Sequence, residues 1–528
     1  MKHRLIIVLA LVGAALGLPG RVTAQEGGNG GGTPGTSSNF ELVGHEPLFG
    51  RGMNAALALY GSTAYVGNRT DGSSRCGMGD PRRDTTGLDS CPHPHPGILV
   101  VDASDPANPA VVNEIGPPYA GMVNETTREL RVWPERKLLM VLSFGCSAVI
   151  HACPGVDHEA AVPAFRFFDL SDPLHPAFLS EWTPRQADGT IRVPHEFFLW
   201  ADPQNPARTL LWMSTPTTSV DPNRANMMIV DISAVPDGAQ PTLIAQGNWN
   251  PQYPGAENPA NYDNNLALHS MWPTFAGNRT HLAYLSGHFL VLDTKKVARN
   301  MLPAGVVEDL NDNLLTRPED RPTWPNPNPG HSAVPFPGRP YIFMIDEVYG
   351  TFTDPRFGCP WGWARSIQVS QPRHPHQLGE YKLPENSCPA PTQADQERSS
   401  YGAHNPTLTR NVALDSWHSG GLQAIDIKNP RKMRQLGWFS PTPLDTVANE
   451  DPALSGGTNK VVMWSFPIIK DGLIYVVDIR NGLYILRYTG PRAEEVSEVT
   501  FLEGNSNLGD AARLAAEATS LDLAQIEG

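Results

Sequence analysis

The chain has 528 residues, a formal net charge of −14, six cysteines, 48 glycines and 51 prolines. A polyanion of this kind is poorly suited to nucleic acid or to an anionic lipid surface. Its length allows two or three domains, but internal repeats override that prior, because repeated units add to one body.

Residues 1–24 read as a secretory signal peptide. Lys2, His3 and Arg4 precede the apolar run LIIVLALVGAALGL, and Val22-Thr23-Ala24 offers a small-residue cleavage site. The run is short for a bilayer and no later stretch is long and apolar enough, so no membrane span is expected. No cysteine stands at the cleavage point, so no lipid anchor is expected either. The expectation is a secreted or periplasmic, extracytoplasmic protein that is monomeric. Residues 25–39 (QEGGNGGGTPGTSSN) are Gly/Ser/Thr-rich and read as a flexible leader.

From residue 40 to 490 one pattern recurs: a small residue, four or five apolar residues, an Asp, then a polar turn with Pro. Copies begin at Gly97 (GILVVDASDPANP), Ala164 (AFRFFDLSDPLHP), Asn226 (NMMIVDISAVPDG) and His288 (HFLVLDTKK). Others begin at Ala364 (ARSIQVSQPRHP), Gly421 (GLQAIDIKNP) and, shortened, at Gly482 (GLYILRYTG). Each copy reads as a buried strand, a tight turn and a returning strand. Asp102, Asp169, Asp231, Asp293 and Asp426 read as acceptors for turn N–H groups rather than as calcium ligands. Another pair of apolar runs precedes each copy, as in MNAALALYGSTAYVGN from Met53. Each unit therefore has four strands, A to D. The expected fold is all-β, a seven-bladed β-propeller of four-stranded antiparallel blades.

The repeated "LVVVD-S-P-x-x-P" pattern resembles the LVIVD-repeat family of exported bacterial and archaeal proteins. The resemblance implies a propeller architecture and no particular chemistry. The chain departs from the family pattern in the fifth copy, where Val369 replaces the Asp, and in the last, where Arg487 does.

Three long insertions fall between strands B and C, over residues 67–96, 143–163 and 346–363. They build up one face, a natural place for a protein partner or a small molecule. Cysteine spacing in an oxidising compartment suggests bridges Cys76–Cys91, Cys146–Cys153 and Cys359–Cys388, with free thiols as the other reading. Asn68, Asn124 and Asn278 lie in N-x-S/T sequons. Residues 491–528 read as an acidic tail with a possible short helix.

The sharpest chemical signal is a set of histidines at the starts of strands A: His195, His269, His331 and His404, spaced by 74, 62 and 73 residues. Strand A lines a propeller's axis, so these four form a ring. Asn54, Glu125 and Trp464 take matching places in other blades. His288 and His418 follow strand B on the same face, near Asp346, Glu347 and Asp478. A single such His ordinarily caps a buried backbone group. Four in register point instead to a transition metal, copper or iron, held by His195, His269, His331 and His404. His288, His418 or Glu125 would add a ligand or move a proton. Trp272, Trp417 and Trp464 would favour an apolar substrate. Two propeller classes give a fold-level analogy: carotenoid-cleaving oxygenases, with iron on four histidines, and selenium-binding-protein-like methanethiol oxidases, which are copper-associated. The expectation is an exported oxidoreductase on a small or apolar substrate. The alternatives are a non-catalytic propeller binding through its B–C loops, or a metal-independent lyase or hydrolase. No GxSxG, HExxH, P-loop or dinucleotide motif stands in a convincing context.

Overall fold

The computed structural model describes residues 25–26, 30–76, 87, 89–146, 163–252, 267–285, 288–322, 330–348, 361–387, 399–451 and 454–517. Within them the short apolar runs fold into antiparallel sheets, and the fold is of β-propeller type. Strand Asn54–Tyr60 pairs with Thr63–Asn68, which pairs with Ile98–Asp102, which pairs with Ala110–Ile115. The same order recurs in Glu125–Trp133, Leu138–Gly145, Ala164–Asp169 and Ala177–Trp182. It recurs again in Phe197–Ala201, Thr209–Ser214, Met227–Asp231 and Thr242–Gly247.

Two further groups keep the order: Gly330–Pro335, Tyr341–Asp346, Ala364–Gln368 and His376–Lys382, then Asn405–Leu408, Val412–Ser416, Leu422–Asp426 and Arg434–Ser440. Between them and the earlier groups lies a sheet of three described strands, Leu268–Pro273, Arg279–Tyr284 and His288–Asp293. Leu314 bridges to Leu292 where its fourth strand would run. The first two groups merge into one hydrogen-bonded sheet through a single pair, Asn68 opposite Thr127.

Middle strands are buried on both faces between neighbouring sheets, so Met227–Asp231 (MMIVD) is a continuous apolar run. Outer strands show one face to water, and Ala110–Ile115 alternates exposed and half-buried residues. The recurrent aspartates form the expected turns. Asp102, Asp169, Asp231, Asp293 and Asp426 each accept the N–H two residues on, at 2.8–3.0 Å. Register corrects one alignment. Gln368, opposite His376, and not Val369, takes the Asp position that Asp426 holds opposite Arg434.

Both chain ends are more structured than their composition implies. The last sheet, Ile468–Lys470, Leu473–Asp478 and Gly482–Tyr488, takes its outer strand from near the N-terminus, Phe40–Glu46. Thr36–Ser38 adds to the edge of Arg434–Ser440. Residues 30–39 are therefore not a free leader. Glycine makes this possible: Gly32 adopts φ +82°, and a Cβ there would sit 2.2 Å from the Trp438 ring.

The C-terminal tail also departs from expectation. Residues 501–517 fold back across the far end of the innermost strands. Leu502 pairs with Ile469, Trp272 Nε1 donates to Gly504 O at 2.8 Å, and the Asn507 side chain bonds both backbone groups of Ala201. Leu508 and Leu514 are buried there.

Cys76 and Cys91 form a disulfide. Cys146 is also disulfide-bonded, while Cys153, Cys359 and Cys388 lie outside the described residues. Asn68 and Asn124 are buried, so those two sequons are closed to a glycan. No helix among the described residues is long and apolar enough to cross a membrane.

Candidate functional site

Six consecutive innermost strands present a dipeptide at the same end: Arg128-Glu129, His195-Glu196, His269-Ser270, His331-Ser332, His404-Asn405 and Trp464-Ser465. The local cause is a bulge. Leu268 and Ser270 face consecutive residues Tyr284 and Ala283, so His269 is the extra residue. His331 between Gly330 and Ser332, and Arg128 between Thr127 and Glu129, are extra in the same way. A bulged residue leaves the ladder and its side chain is re-aimed, here toward the axis. In three of the dipeptides the second residue then ties neighbouring strands together. Ser270 Oγ donates to His331 O at 2.5 Å, Ser332 Oγ to His404 O at 3.2 Å, and Asn405 Nδ2 to Trp464 O at 2.9 Å.

The four expected histidines do converge. Ring centroids of His195 and His269 are 4.4 Å apart, His269 and His331 4.0 Å, and His331 and His404 4.4 Å. They line a buried cavity of about 20 Å³ together with Arg128, Glu129, Glu196, Glu347 and Trp464. His418 joins them, its ring 5.1 Å from that of His404. His195 is half-buried and the others are buried, so His195 stands on the solvent side.

His288 and Glu125 are not among the cavity's lining residues. His288 opens the third strand of its sheet, opposite Tyr284, the position Leu422 takes opposite Ser416. His418 reaches the axis because the loop before Leu422 is two residues longer, spanning 417–421. Glu125 pairs with Arg166, which also bonds Ser143 Oγ and Glu181 Oε2, each at 2.7 Å. The bulge register makes Arg128, not Glu125, the counterpart of His269. Of the three tryptophans, only Trp464 lines the cavity, its ring 3.7 Å from His404.

Hydrogen bonds at Nδ1 determine where the imidazole lone pairs point. His404 Nδ1 lies 2.8 Å from Trp464 O, and a carbonyl only accepts, so Nδ1 carries the proton. Ser270 Oγ gives its proton to His331 O, so it accepts from His269 Nδ1 at 2.6 Å. Ser332 serves His331 likewise at 2.7 Å, and Ser400, which donates to Val348 O, serves His418 at 2.9 Å. All four Nε2 atoms therefore present lone pairs inward, an arrangement in which outer partners orient ligating imidazoles.

Glu347 stands among them. Its Oε1 is 3.3 Å from both His404 Nε2 and His418 Nε2, and its Oε2 is 3.6 Å from His331 Nε2. Burial opposes ionisation of Glu347, yet the facing His404, His331 and His418 hold its carboxyl well below the usual range. That effect needs positive charge on the imidazole side. Burial denies the imidazoles a proton: it pushes His404 down to about 3 and His269 to about 4, and His195 and His331 fall well below 6.5. Glu347 is thus a buried anion beside His331 and His404, whose own protonation burial disfavours. On the other side of the cavity, burial and the neighbouring Glu129 raise Glu196 to about 8.

Sequence reasoning noted Glu347 only as one nearby carboxylate and missed Arg128, Glu129 and Glu196 at the cavity. The one available signal was the repeated pairing of a large residue with Ser, Asn or Glu at strand-A starts.

His281, off the ring, tests the burial effect by itself. It is buried, its Nδ1 is 3.2 Å from Trp272 O, and burial lowers it to about 3. Unfolded, its pKa is about 6.5, so its contribution is complete above pH 6.5 and is lost as pH falls toward 3. Denaturant titrations of His281→Phe between pH 6.5 and 4.5 are expected to show a pH slope about 1.4 kcal/mol per unit shallower than wild type. An unchanged slope would refute that assignment.

No family model and no curated protein matches the chain. Solved structures overlap it only loosely. A Lactobacillus plantarum protein from a structural genomics consortium covers 74% of this chain and 86% of its own, at 11% identity and TM-score 0.41. Chaetomium thermophilum Sqt1 covers 84% and 86%, at 12% identity and TM-score 0.39. A chain of the mitotic checkpoint complex covers 89% and 99%, at 7% identity and TM-score 0.40. Overlaps at these scores assign no activity.

Proposed function

We propose that the protein is an exported seven-bladed β-propeller, similar to LVIVD-repeat proteins, that binds a transition metal on its axis and acts as an oxidoreductase. The count of seven rests on the seven repeat copies and on the strand groups, with the first two joined only at Asn68 and Thr127. The reading of four strands per blade rests on the recurring strand groups, with three strands described in the one beginning at Leu268.

One observation carries the metal reading. Glu347 holds Oε1 3.3 Å from the Nε2 atoms of His404 and His418, and Oε2 3.6 Å from that of His331. Ligands about 2.0–2.2 Å from a shared tetrahedral ion lie about 3.3–3.6 Å from one another. Such spacings are long for hydrogen bonds and right for a common cation. A nitrogen-rich set with one carboxylate and no sulfur suits copper or iron. The cavity of about 20 Å³ admits roughly one water-sized molecule, which favours a small co-substrate such as dioxygen and disfavours a bulky lyase or hydrolase substrate. His195 and Arg128 stand at the edge of this cavity and would meet whatever approaches the ion.

Metal analysis of purified protein tests the reading. At least one equivalent of copper or iron is expected, falling to background in a folded His331→Ala/His404→Ala double variant. Wild type free of metal after incubation with either ion would end the metalloenzyme reading.

A further inference from the structure

Resting on that metal reading, we infer that the axial site takes two metal ions, bridged by the carboxylate of Glu347. Among the described residues two sets of three side chains bring their ligand atoms within 4.8 Å of one another. They are His269, His331 and Glu347, and Glu347, His404 and His418; Glu347 alone belongs to both. The two carboxylate oxygens divide between the sets. Oε2 faces His331, while Oε1 faces His404 and His418. A carboxylate that gives one oxygen to each side is how paired ions about 3.5–4 Å apart are held.

The two halves are not equivalent. His418 Nε2 and Glu347 Oε1 are buried without a hydrogen-bond partner among the described residues, so an ion entering there breaks no protein hydrogen bond. In the other half, His195 Nε2 lies 2.8 Å from His269 Nε2. The His269 lone pair is thus engaged by His195, and an ion must break that hydrogen bond before His269 can bind it. The His404/His418 half should fill first. On the His269 side Glu196 Oε2 lies 3.8 Å from His269 Nδ1 and Glu129 lines the same cavity, which places two further carboxyl groups near a second ion.

The test is titration of metal-stripped full-length protein with Co(II) alone, reading d–d absorption and bound metal after desalting, with circular dichroism to confirm folding. Two equivalents are expected, the second bound at least tenfold more weakly. His418→Ala should lose the tight step and keep the weak one, and His269→Ala should do the reverse. A single equivalent, lost alike in both variants, would overturn the two-ion site while leaving the metal reading standing. No uptake by folded wild type would remove both.

Discussion

Glu347→Gln is expected to strip the metal from the protein and, at the same time, to make the metal-free chain more stable. The substitution keeps size and shape and removes only the charge. Without a cation, an ionised Glu347 faces the lone pairs of His331, His404 and His418 at 3.3–3.6 Å, an acceptor among acceptors. Glutamine with its amide nitrogen in place of Oε1 supplies two N–H donors to the Nε2 atoms of His404 and His418. Satisfying buried acceptors is worth about 1–3 kcal/mol, so the metal-free variant should unfold at higher denaturant by that margin. Loss of the anionic ligand should weaken Co(II) binding at least 100-fold, or about 3 kcal/mol. The opposite sign of the stability change would mean that the imidazoles donate from Nε2 and that Glu347 is a structural acceptor. In that case the metal reading loses its strongest support. Trading stability for function in this way is common at binding sites.

Much of this architecture was legible because each repeat carries its own local logic. A middle strand buried on both faces must be apolar along its whole length, and its closing Asp must cap the following turn; the copies at Gly97, Ala164, Asn226, His288 and Gly421 state both. The histidine ring was legible for the same reason, since one residue per unit at one strand end returns at the repeat spacing. What could not be read was anything depending on a local break in periodicity. The bulges at Arg128, His269 and His331 insert one residue into a strand, which alternation cannot register, and so Glu125 was taken for Arg128. His288 and His418 look alike in sequence, each two residues after a serine, and only strand pairing separates them. Glu347 owes its position to the end of the strand Tyr341–Asp346 and to no motif. The tail from Phe501 was opaque because it is held by backbone pairing, by polar residues such as Asn507 and by widely spaced leucines, Leu502, Leu508 and Leu514.

The ring also needs support from behind, and Arg69 gives the largest expected stability effect away from the ligands. Its side chain is fully buried, with Nη2 3.4 Å from Asp451 Oδ2 and the guanidinium 3.8 Å from the centre of the Trp464 ring. Trp464 in turn packs on His404 and lies parallel to His418 at 5.5 Å. Arg69→Met preserves most of the stem but removes the cation that faces Asp451 Oδ2, while Leu454 N–H still donates to Asp451 Oδ1 at 2.9 Å. Breaking a buried pair on one side costs about 3–5 kcal/mol, which is a large share of the stability of an ordinary domain. The expected result is a drop of that size in denaturant unfolding, with much of it recovered in the double variant Arg69→Met/Asp451→Asn, because removing both charges removes the uncompensated one. Recovery of stability in the double variant separates the ion pair from the packing. If the double variant is no better than the single, the stem and its stacking on Trp464 carry the energy, and metal affinity should fall with it because Trp464 no longer backs His404.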